Sequence, residues 1–266
     1  MKLVPLLFNM PLNSNLLRIN KTKVKKPLYV FDFIRLGDST IPLATNLVAA
    51  WNFESYGSGV FVSAFPVADA TYNLRGNGTP ASTAGKVGNS SDLTAANTFL
   101  DIAAGPPAAL KMPDGIYSGC FWIYFNSVLP TQSLDLLHNP TTNSGYILRV
   151  AANTGVLTFF SGTGSAYESV VAADEFVENG WYFVAFTRNA TSIKVSISST
   201  SAYTNLTSSV STAFTQGGGT FIINRTTAAN YSSACLLDSL FMWNRSLTDV
   251  DFQNMWNLGA GRSWPV

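Results

Sequence analysis

Short runs of alternating apolar and polar residues recur along the chain from about residue 45 onward. Such alternation turns successive side chains to opposite faces of an extended segment, so each run is predicted to form a β-strand. Gly, Asn, Ser and Thr separate the runs at intervals of roughly 10 to 20 residues, a rhythm typical of a sandwich or jelly roll. The predicted strands are 47–53, 58–65, 98–103, 116–125, 133–137, 145–150, 155–160, 167–172, 180–187, 191–198, 219–223 and 234–243.

Aromatic residues mark the predicted core. Several of them alternate with smaller or polar neighbours, which places them on one face of their strands, where aromatic rings contribute much of the buried area. They are Trp51, Phe53, Phe121, Trp181, Phe183, Phe241 and Trp243. We therefore expect these side chains to form the core of the domain.

The end of the sequence predicts one helix, over residues 247–258. Ser246 is placed to cap this helix, and Gly259 is placed to end it. Residues 187–191 separate two strongly alternating runs and predict a hairpin. The three glycines at 217–219 precede a strand rather than a helix, so they predict a flexible hairpin and not a phosphate-binding loop.

Six segments, taken in order, resemble the laminin-G-like group of concanavalin-A-like jelly rolls. They are LVAAWNFE at 47–54, GKVG at 85–88, FLDI at 99–102, YSGCFWIY at 117–124, GWYFVAFT at 180–187 and LDSLFMWNRSL at 237–247. The resemblance covers about residues 45–260. It implies an all-β, concanavalin-A-like antiparallel β-sandwich, to which the sequence adds an extended N-terminal arm and one short C-terminal helix.

Residues 1–44 fall outside this resemblance and are predicted to form an extended arm, with the sandwich occupying residues 45–266. Residues 1–40 carry seven basic and two acidic side chains, a net charge of +5, whereas the remainder carries nine basic and thirteen acidic ones, a net charge of −4. The apolar stretches 3–12 and 28–34 are too hydrophobic for a simple linker. We expect the arm to bind other proteins through apolar contact and positive charge.

The candidate chemistry is sparse and predicts a protein that is not an enzyme. His138 is the only histidine, and its position at a strand end predicts a surface or turn residue. The sequence contains no Gly-x-Ser-x-Gly motif, no carboxylate pair spaced Glu-x-Asp-x-x-Glu and no set of zinc ligands. Cys120 and Cys235 lie in apolar runs that suit buried free thiols, although a disulfide between neighbouring strands stays open.

The composition bears on membranes and nucleic acids as well. No apolar run approaches the roughly 18 to 20 residues that cross a bilayer, so no membrane span is predicted. The basic stretch 18–26 is short and offers no stacking platform, so nucleic acid is not an expected partner.

The resemblance also suggests calcium, because related sandwiches often hold this ion through loop oxygens, the ligands that hard cations prefer. The candidate ligands are Asp69 and Asn77 in the loop rich in Asp, Asn and Gly, with Asp238 from the closing strand. The alternative is an ordinary turn-rich loop and an aspartate bonded to backbone. No cofactor is required by the sequence; calcium would be structural.

These observations lead to three hypotheses about function. The first is a virion structural protein of a bacteriophage, in a capsid decoration, fibre or tail, with residues 1–44 anchoring it to other virion proteins and the sandwich displayed for adhesion to host-surface glycans. The second is a secreted, extracellular lectin-like protein that binds carbohydrate. The third is a glycan hydrolase, which requires a carboxylate pair that the sequence does not show. A homo-oligomer and a monomer both fit.

Overall fold

A computed structural model describes residues 42–67, 69–102, 105–126, 129–225 and 232–265. These residues belong to one compact unit, Thr40–Val266. The predicted arm lies outside the described residues apart from its last three positions, 42–44, so its extended form and its anchoring role stay predictions.

Two antiparallel sheets form the body of this unit, as the alternating pattern predicts. Their strands are β1 Leu47–Trp51, β2 Tyr56–Gly57, β3 Val60–Phe61, β4 Leu74–Asn77, β5 Ala81–Ala84, β6 Asn89–Asp92, β7 Phe99–Asp101, β8 Tyr117–Phe125, β9 Leu134–His138, β10 Tyr146–Val150, β11 Val156–Gly162, β12 Tyr167–Glu175, β13 Gly180–Arg188, β14 Ser192–Ser199, β15 Thr207–Val210, β16 Ile222–Ile223 and β17 Cys235–Trp243. Each of the predicted strands overlaps one of these. The prediction missed β2, β4, β5, β6 and β15, which are short and largely polar.

In the described part of the chain, one sheet has eight strands and the other has nine. The eight-stranded sheet runs β15-β14-β13-β8-β17-β6-β5, with β1 also pairing with β17. The nine-stranded sheet runs β12-β11-β10-β9-β16-β7-β4-β3-β2. The first and last strands therefore meet, with Leu47 opposite Trp243, and the predicted all-β sandwich is confirmed.

Two hydrophobic clusters hold the described unit together, rather than the single aromatic face that the sequence predicts. Trp51, Phe53 and Phe121 belong to the interior between the sheets. Phe183 and Trp243 instead belong to a second cluster. The prediction that these aromatic residues form the core is confirmed for six of the seven, Trp181 being only partly buried. Their placement on a single face was wrong, because neighbouring residues of β8, β13 and β17 are buried on both faces.

The C-terminal helix, α1 Asp249–Trp256, supplies part of the second cluster through its side chains Phe252, Met255 and Trp256. Thr248 is the N-cap, in a capping box with Asp251. The prediction of Ser246 as cap was therefore wrong by two positions. The helix ends at left-handed Asn257, and a 3₁₀ turn follows as far as Gly259. No helix among the described residues is long and apolar enough to span a membrane.

Two of the three glycines at 217–219 are packed closely against another backbone segment, whereas the sequence predicted a flexible hairpin. A Cβ atom on Gly217 would overlap the carbonyl oxygen of Asn139, and one on Gly219 would overlap that of Pro140. These glycines therefore permit two backbone segments to approach each other.

The two cysteines are buried and free. They lie on neighbouring strands, but the register of β8 and β17 places Cys120 opposite Phe241 and Cys235 opposite Phe125. The two thiols are therefore several positions apart along the strands, which is too far for a disulfide.

Candidate functional site

The outer faces of the two sheets differ in chemistry. The eight-stranded sheet turns its outer face to the second hydrophobic cluster and α1. The outer face of the nine-stranded sheet carries charged side chains instead. In β10, for example, Tyr146, Leu148 and Val150 point into the interior, so the intervening Arg149 points outward. We call the residues Arg75, Asp101, Asp135, His138 and Arg149 on this sheet the charged face.

Two arginine–aspartate pairs organise the charged face. Nε and Nη2 of Arg75 donate to the two carboxylate oxygens of Asp101, at 2.9 and 2.6 Å. Arg149 pairs with Asp135 in the same way, at 2.6 and 3.1 Å. The arginine side chains are 49% and 36% exposed, whereas the aspartates are 9% and 1% exposed. Each pair fixes one guanidinium plane, and no described residue accepts a hydrogen bond from Nη1 of either arginine.

Asp135 has a second partner in His138, the last residue of β9. Nδ1 of the imidazole lies 3.1 Å from Oδ2 of the carboxylate, and both side chains are almost fully buried. Burial would raise the pKa of Asp135, but hydrogen bonds from His138 and Arg149 outweigh it and hold the pKa below its usual value. The prediction that His138 is a surface or turn residue was wrong: it is a buried member of this network.

Strand register places these groups in a row across the sheet. The residues that pair in succession are Arg75, Asp101, Ile222, His138, Ile147 and Phe160. Arg149 lies four strands from Arg75, or about 19 Å at the usual strand spacing of about 4.8 Å. The guanidinium of Arg149 lies 5.7 Å from the ring centroid of Phe160. One fixed guanidinium, that of Arg75, thus lies at one end of the row, and that of Arg149 lies beside the partly exposed ring of Phe160 at the other end.

The fold around this row is that of a known group of proteins. A family model described as the concanavalin A-like lectin/glucanases superfamily matches residues 96–251, more than half of the chain. The chain belongs to this superfamily. The resemblance identified from the six sequence motifs is therefore confirmed.

Solved structures similar to this superfamily member include toxin binding domains and a domain of an arabinan-degrading enzyme. The binding domain of Paraclostridial Mosquitocidal Protein 1 has a TM-score of 0.62 and 14% identity, over 80% of this chain and 52% of that one. The binding domain of botulinum neurotoxin DC, in complex with SialylT, has a TM-score of 0.56 and 14% identity, over 81% and 52% of the two chains. Domain 4 of AbnA, a GH43 extracellular arabinanase from Geobacillus stearothermophilus, in complex with arabinotriose, has a TM-score of 0.53 and 16% identity, over 79% and 97%.

These comparisons bear on the fold alone, because the identities are low. The chain spans about half the length of the two toxin structures. No curated protein matches the chain.

The three calcium candidates of this superfamily member lie on different elements. Asp69 precedes a 3₁₀ turn and accepts hydrogen bonds from the backbone N–H and the hydroxyl of Thr71, which lower its pKa. Asn77 lies on β4 of the nine-stranded sheet, and Asp238 lies on β17 of the eight-stranded sheet. Among the described residues, no three or more His, Cys, Asp or Glu side chains are grouped to hold a metal ion. Calcium binding stays a prediction.

Asp238 is engaged by the turn at 85–88 that the family motif singles out. Its Oδ2 accepts a hydrogen bond from the backbone N–H of Val87 at 2.7 Å, and its Oδ1 accepts one from the hydroxyl of Ser239 at 3.1 Å. Burial raises the pKa of this carboxyl to about 7, with a further contribution from the negative charge of Glu54. These contacts indicate a role in packing the turn.

The charged face was missed by the sequence analysis because each pair joins residues from different strands. The available signal was a single charged residue inside an otherwise apolar strand, as in LDLLH at 134–138 and YILRV at 146–150. A buried charged side chain of this kind requires an oppositely charged or hydrogen-bonding partner, but the sequence does not identify that partner.

Proposed function

We propose that the protein is a non-enzymatic carbohydrate-binding protein and that the charged face binds an oligosaccharide. The observation that carries this proposal is the pair of arginines held in fixed orientation, each with an unused Nη1 group directed away from its aspartate. Sugars are recognised by hydrogen bonds of defined geometry to their hydroxyls and by apolar rings against their C–H faces. The separation of about 19 Å between the strands of the two arginines is sufficient for several linked sugar units.

The similar structures support this proposal by analogy. The neurotoxin binding domain is described in complex with SialylT, and domain 4 of the arabinanase is described in complex with arabinotriose. Those ligands belong to those proteins. They support carbohydrate as the ligand class for this fold, whereas the residues of the charged face carry the argument for this chain.

Binding without hydrolysis follows from the state of Asp135. Glycosidases need one carboxyl group that is protonated at working pH, which requires a raised pKa, and a second carboxylate at a defined separation. The pKa of Asp135 is lowered by His138 and Arg149, so this group is ionised and already paired. We therefore propose that the face holds a glycan without cleaving it.

The test is a glycan array probed with the full chain, followed by titration of the best oligosaccharide against Arg149→Lys. Lysine keeps the positive charge but loses the planar set of donors, so affinity should fall by at least about tenfold. Arg262→Lys is the matched control, because Arg262 is exposed near the C-terminus and its Nε donates to the carbonyl of Asn254. Melting temperatures of both variants report whether the fold survives. Unchanged affinity in Arg149→Lys, with an intact fold, would contradict the proposal.

The finer proposal is that the sandwich is displayed on a virus particle, anchored through residues 1–44. Its support is the composition of that segment, with a net charge of +5 over residues 1–40 and apolar stretches at 3–12 and 28–34. Co-sedimentation with particles that lack this subunit should be lost when Lys21, Lys23, Lys25 and Lys26 are all replaced by Gln. If the variant and the wild type co-sediment with the particles equally, or if neither co-sediments, the secreted lectin-like alternative is favoured.

A further inference from the structure

A groove of about 390 Å³ lies at the side of the sandwich, apart from the charged face. It opens where the end of β12, in the nine-stranded sheet, passes β13 and β14 of the eight-stranded sheet. The groove is lined by Asp174, Glu175, Tyr182, Ile197, Ser199 and Thr204. Its volume lies within the range of about 300 to 1,000 Å³ that is usual for small-molecule sites.

The walls of the groove are held by one hydrogen bond from the loop after β14 to β12, and by others between that loop and the end of β14. The hydroxyl of Thr204 donates to Oδ2 of Asp174 at 2.5 Å, so one wall is tied to the other. The backbone N–H of Thr204 donates to the hydroxyl of Ser198 at 2.9 Å, and that of Ala202 donates to the hydroxyl of Ser199 at 3.1 Å. The groove is therefore preformed, which reduces the entropy lost when a ligand binds.

The floor of the groove is apolar apart from one hydroxyl group. Ile197 is 1% exposed and Tyr182 is 9% exposed, and both belong to the interior cluster. The ring of Tyr182 packs edge-on against Phe176, with centroids 5.4 Å apart. Its hydroxyl oxygen accepts a hydrogen bond from the backbone N–H of Val177 at 3.3 Å. No described residue accepts the hydrogen of this hydroxyl, although the side chain is more than nine-tenths buried, and Tyr182 is itself part of the lining.

The rim of the groove supplies acceptors. Oδ1 of Asp174 and both carboxylate oxygens of Glu175 accept no hydrogen bond from any described residue. No lysine or arginine is among the described residues that line the groove. A ligand must therefore donate hydrogen bonds to the rim, and an anionic ligand would meet two like charges.

We propose that this groove is a second binding site, for a single sugar residue that is not acidic, with a preference for a hexosamine that carries a free amine. The protonated amine is placed between Asp174 and Glu175, where its hydrogen bonds are assisted by charge. A C–H face of the ring packs on Tyr182, and a ring hydroxyl accepts the tyrosine hydrogen. The site goes beyond the function proposed for the charged face and does not require it, since the groove shares no residue with that face.

The experiment measures binding of glucosamine, glucose and glucuronate to the full chain by NMR or calorimetry. Affinity should fall in that order. Asp174→Asn keeps an acceptor for Thr204 and removes the charge, so glucosamine binding should weaken by about tenfold while glucose binding changes little. Tyr182→Phe removes one hydroxyl and should weaken both sugars by about fivefold. Asp114→Asn, at an exposed turn away from the groove, is the matched control and should change neither.

Two results would overturn this proposal: glucuronate binding as tightly as glucosamine, or glucosamine binding that is unchanged in Asp174→Asn. Arg149→Lys separates this proposal from the previous one. It should reduce oligosaccharide binding at the charged face and leave glucosamine binding in the groove unaltered. Failure at one site would therefore leave the test of the other site intact.

Discussion

Replacing Asp238 by Asn should change how the stability of the sandwich depends on pH. Asp238 is fully buried on β17, and its carboxyl accepts hydrogen bonds from the turn at 85–88. Burial raises its pKa to about 7, compared with an ordinary value of 3.8. Asn has nearly the same shape and retains one acceptor oxygen, but it does not titrate. The difference in stability between wild type and Asp238→Asn therefore reports the effect of protonating Asp238.

The sign follows from which state holds that proton. Between about pH 4 and pH 7 the folded protein keeps Asp238 protonated, whereas the unfolded chain has released the proton. Protonated Asp238 therefore makes its full contribution to the free energy of unfolding below its pKa in the unfolded chain. This contribution is lost as the pH rises toward and through its pKa in the folded protein. A difference of about three pH units at about 1.4 kcal/mol per unit gives a loss of about 4 kcal/mol.

Urea unfolding of both proteins from pH 4 to pH 8 measures this effect. The free energy of unfolding of the wild type, minus that of Asp238→Asn, should fall by about 4 kcal/mol across the range. The subtraction removes contributions from other groups, such as Asp135, whose lowered pKa makes stability rise with pH. Glu54→Gln should lower the pH of the transition, because Glu54 raises the pKa of Asp238. A difference that stays constant with pH would refute the reasoning.

Three further predictions concern stability and reactivity. Gly85→Ala should lower the free energy of unfolding by about 1 to 3 kcal/mol, because the added Cβ would lie 2.6 Å from Oδ2 of Asp238. The control Gly57→Ala, which has open space around the added Cβ, should change the free energy of unfolding by less than about 0.5 kcal/mol. Equal losses for the two variants in urea unfolding would argue against the close packing at Gly85. Thr248→Ala removes the cap of α1 and should lower the free energy of unfolding by about 1 kcal/mol, whereas Thr248→Ser should retain most of the wild-type stability. Equal melting temperatures for the two variants would count against the cap. The thiols of Cys120 and Cys235, whose pKa values are raised by burial, should react with a thiol reagent only at the rate of unfolding; rapid labelling of the native protein would contradict their burial.

Much of the fold could be predicted because apolar side chains identify the strands that build the interior. Strands β5 and β6, which read ASTA and NSSD, escaped prediction because Ser, Thr and Asn are also the residues of turns. They are strands because their backbones pair with each other, and β6 with β17. Such pairing between distant segments leaves no periodic pattern in a sequence.

The candidate sites were harder to predict because they depend on register. Arg75 and Asp101 are 26 positions apart, and the groove joins Asp174 of β12 to Thr204 in the loop between β14 and β15. His138 shows the same difficulty. A single histidine at a strand end looks exposed, and only the neighbouring strands reveal that it is buried against Asp135.

The pairing of the first strand with the last has a consequence for how the protein is made. Leu47 meets Trp243, 196 positions later in the chain. At about 5 to 20 residues per second, a ribosome needs roughly 10 to 40 s to synthesise the intervening segment. During this time LVAAW, which is wholly buried in the finished sandwich, is without its partner strand and is available to other apolar surfaces. Slower translation lengthens this exposure and faster translation shortens it, because β1 has no partner until β17 has emerged.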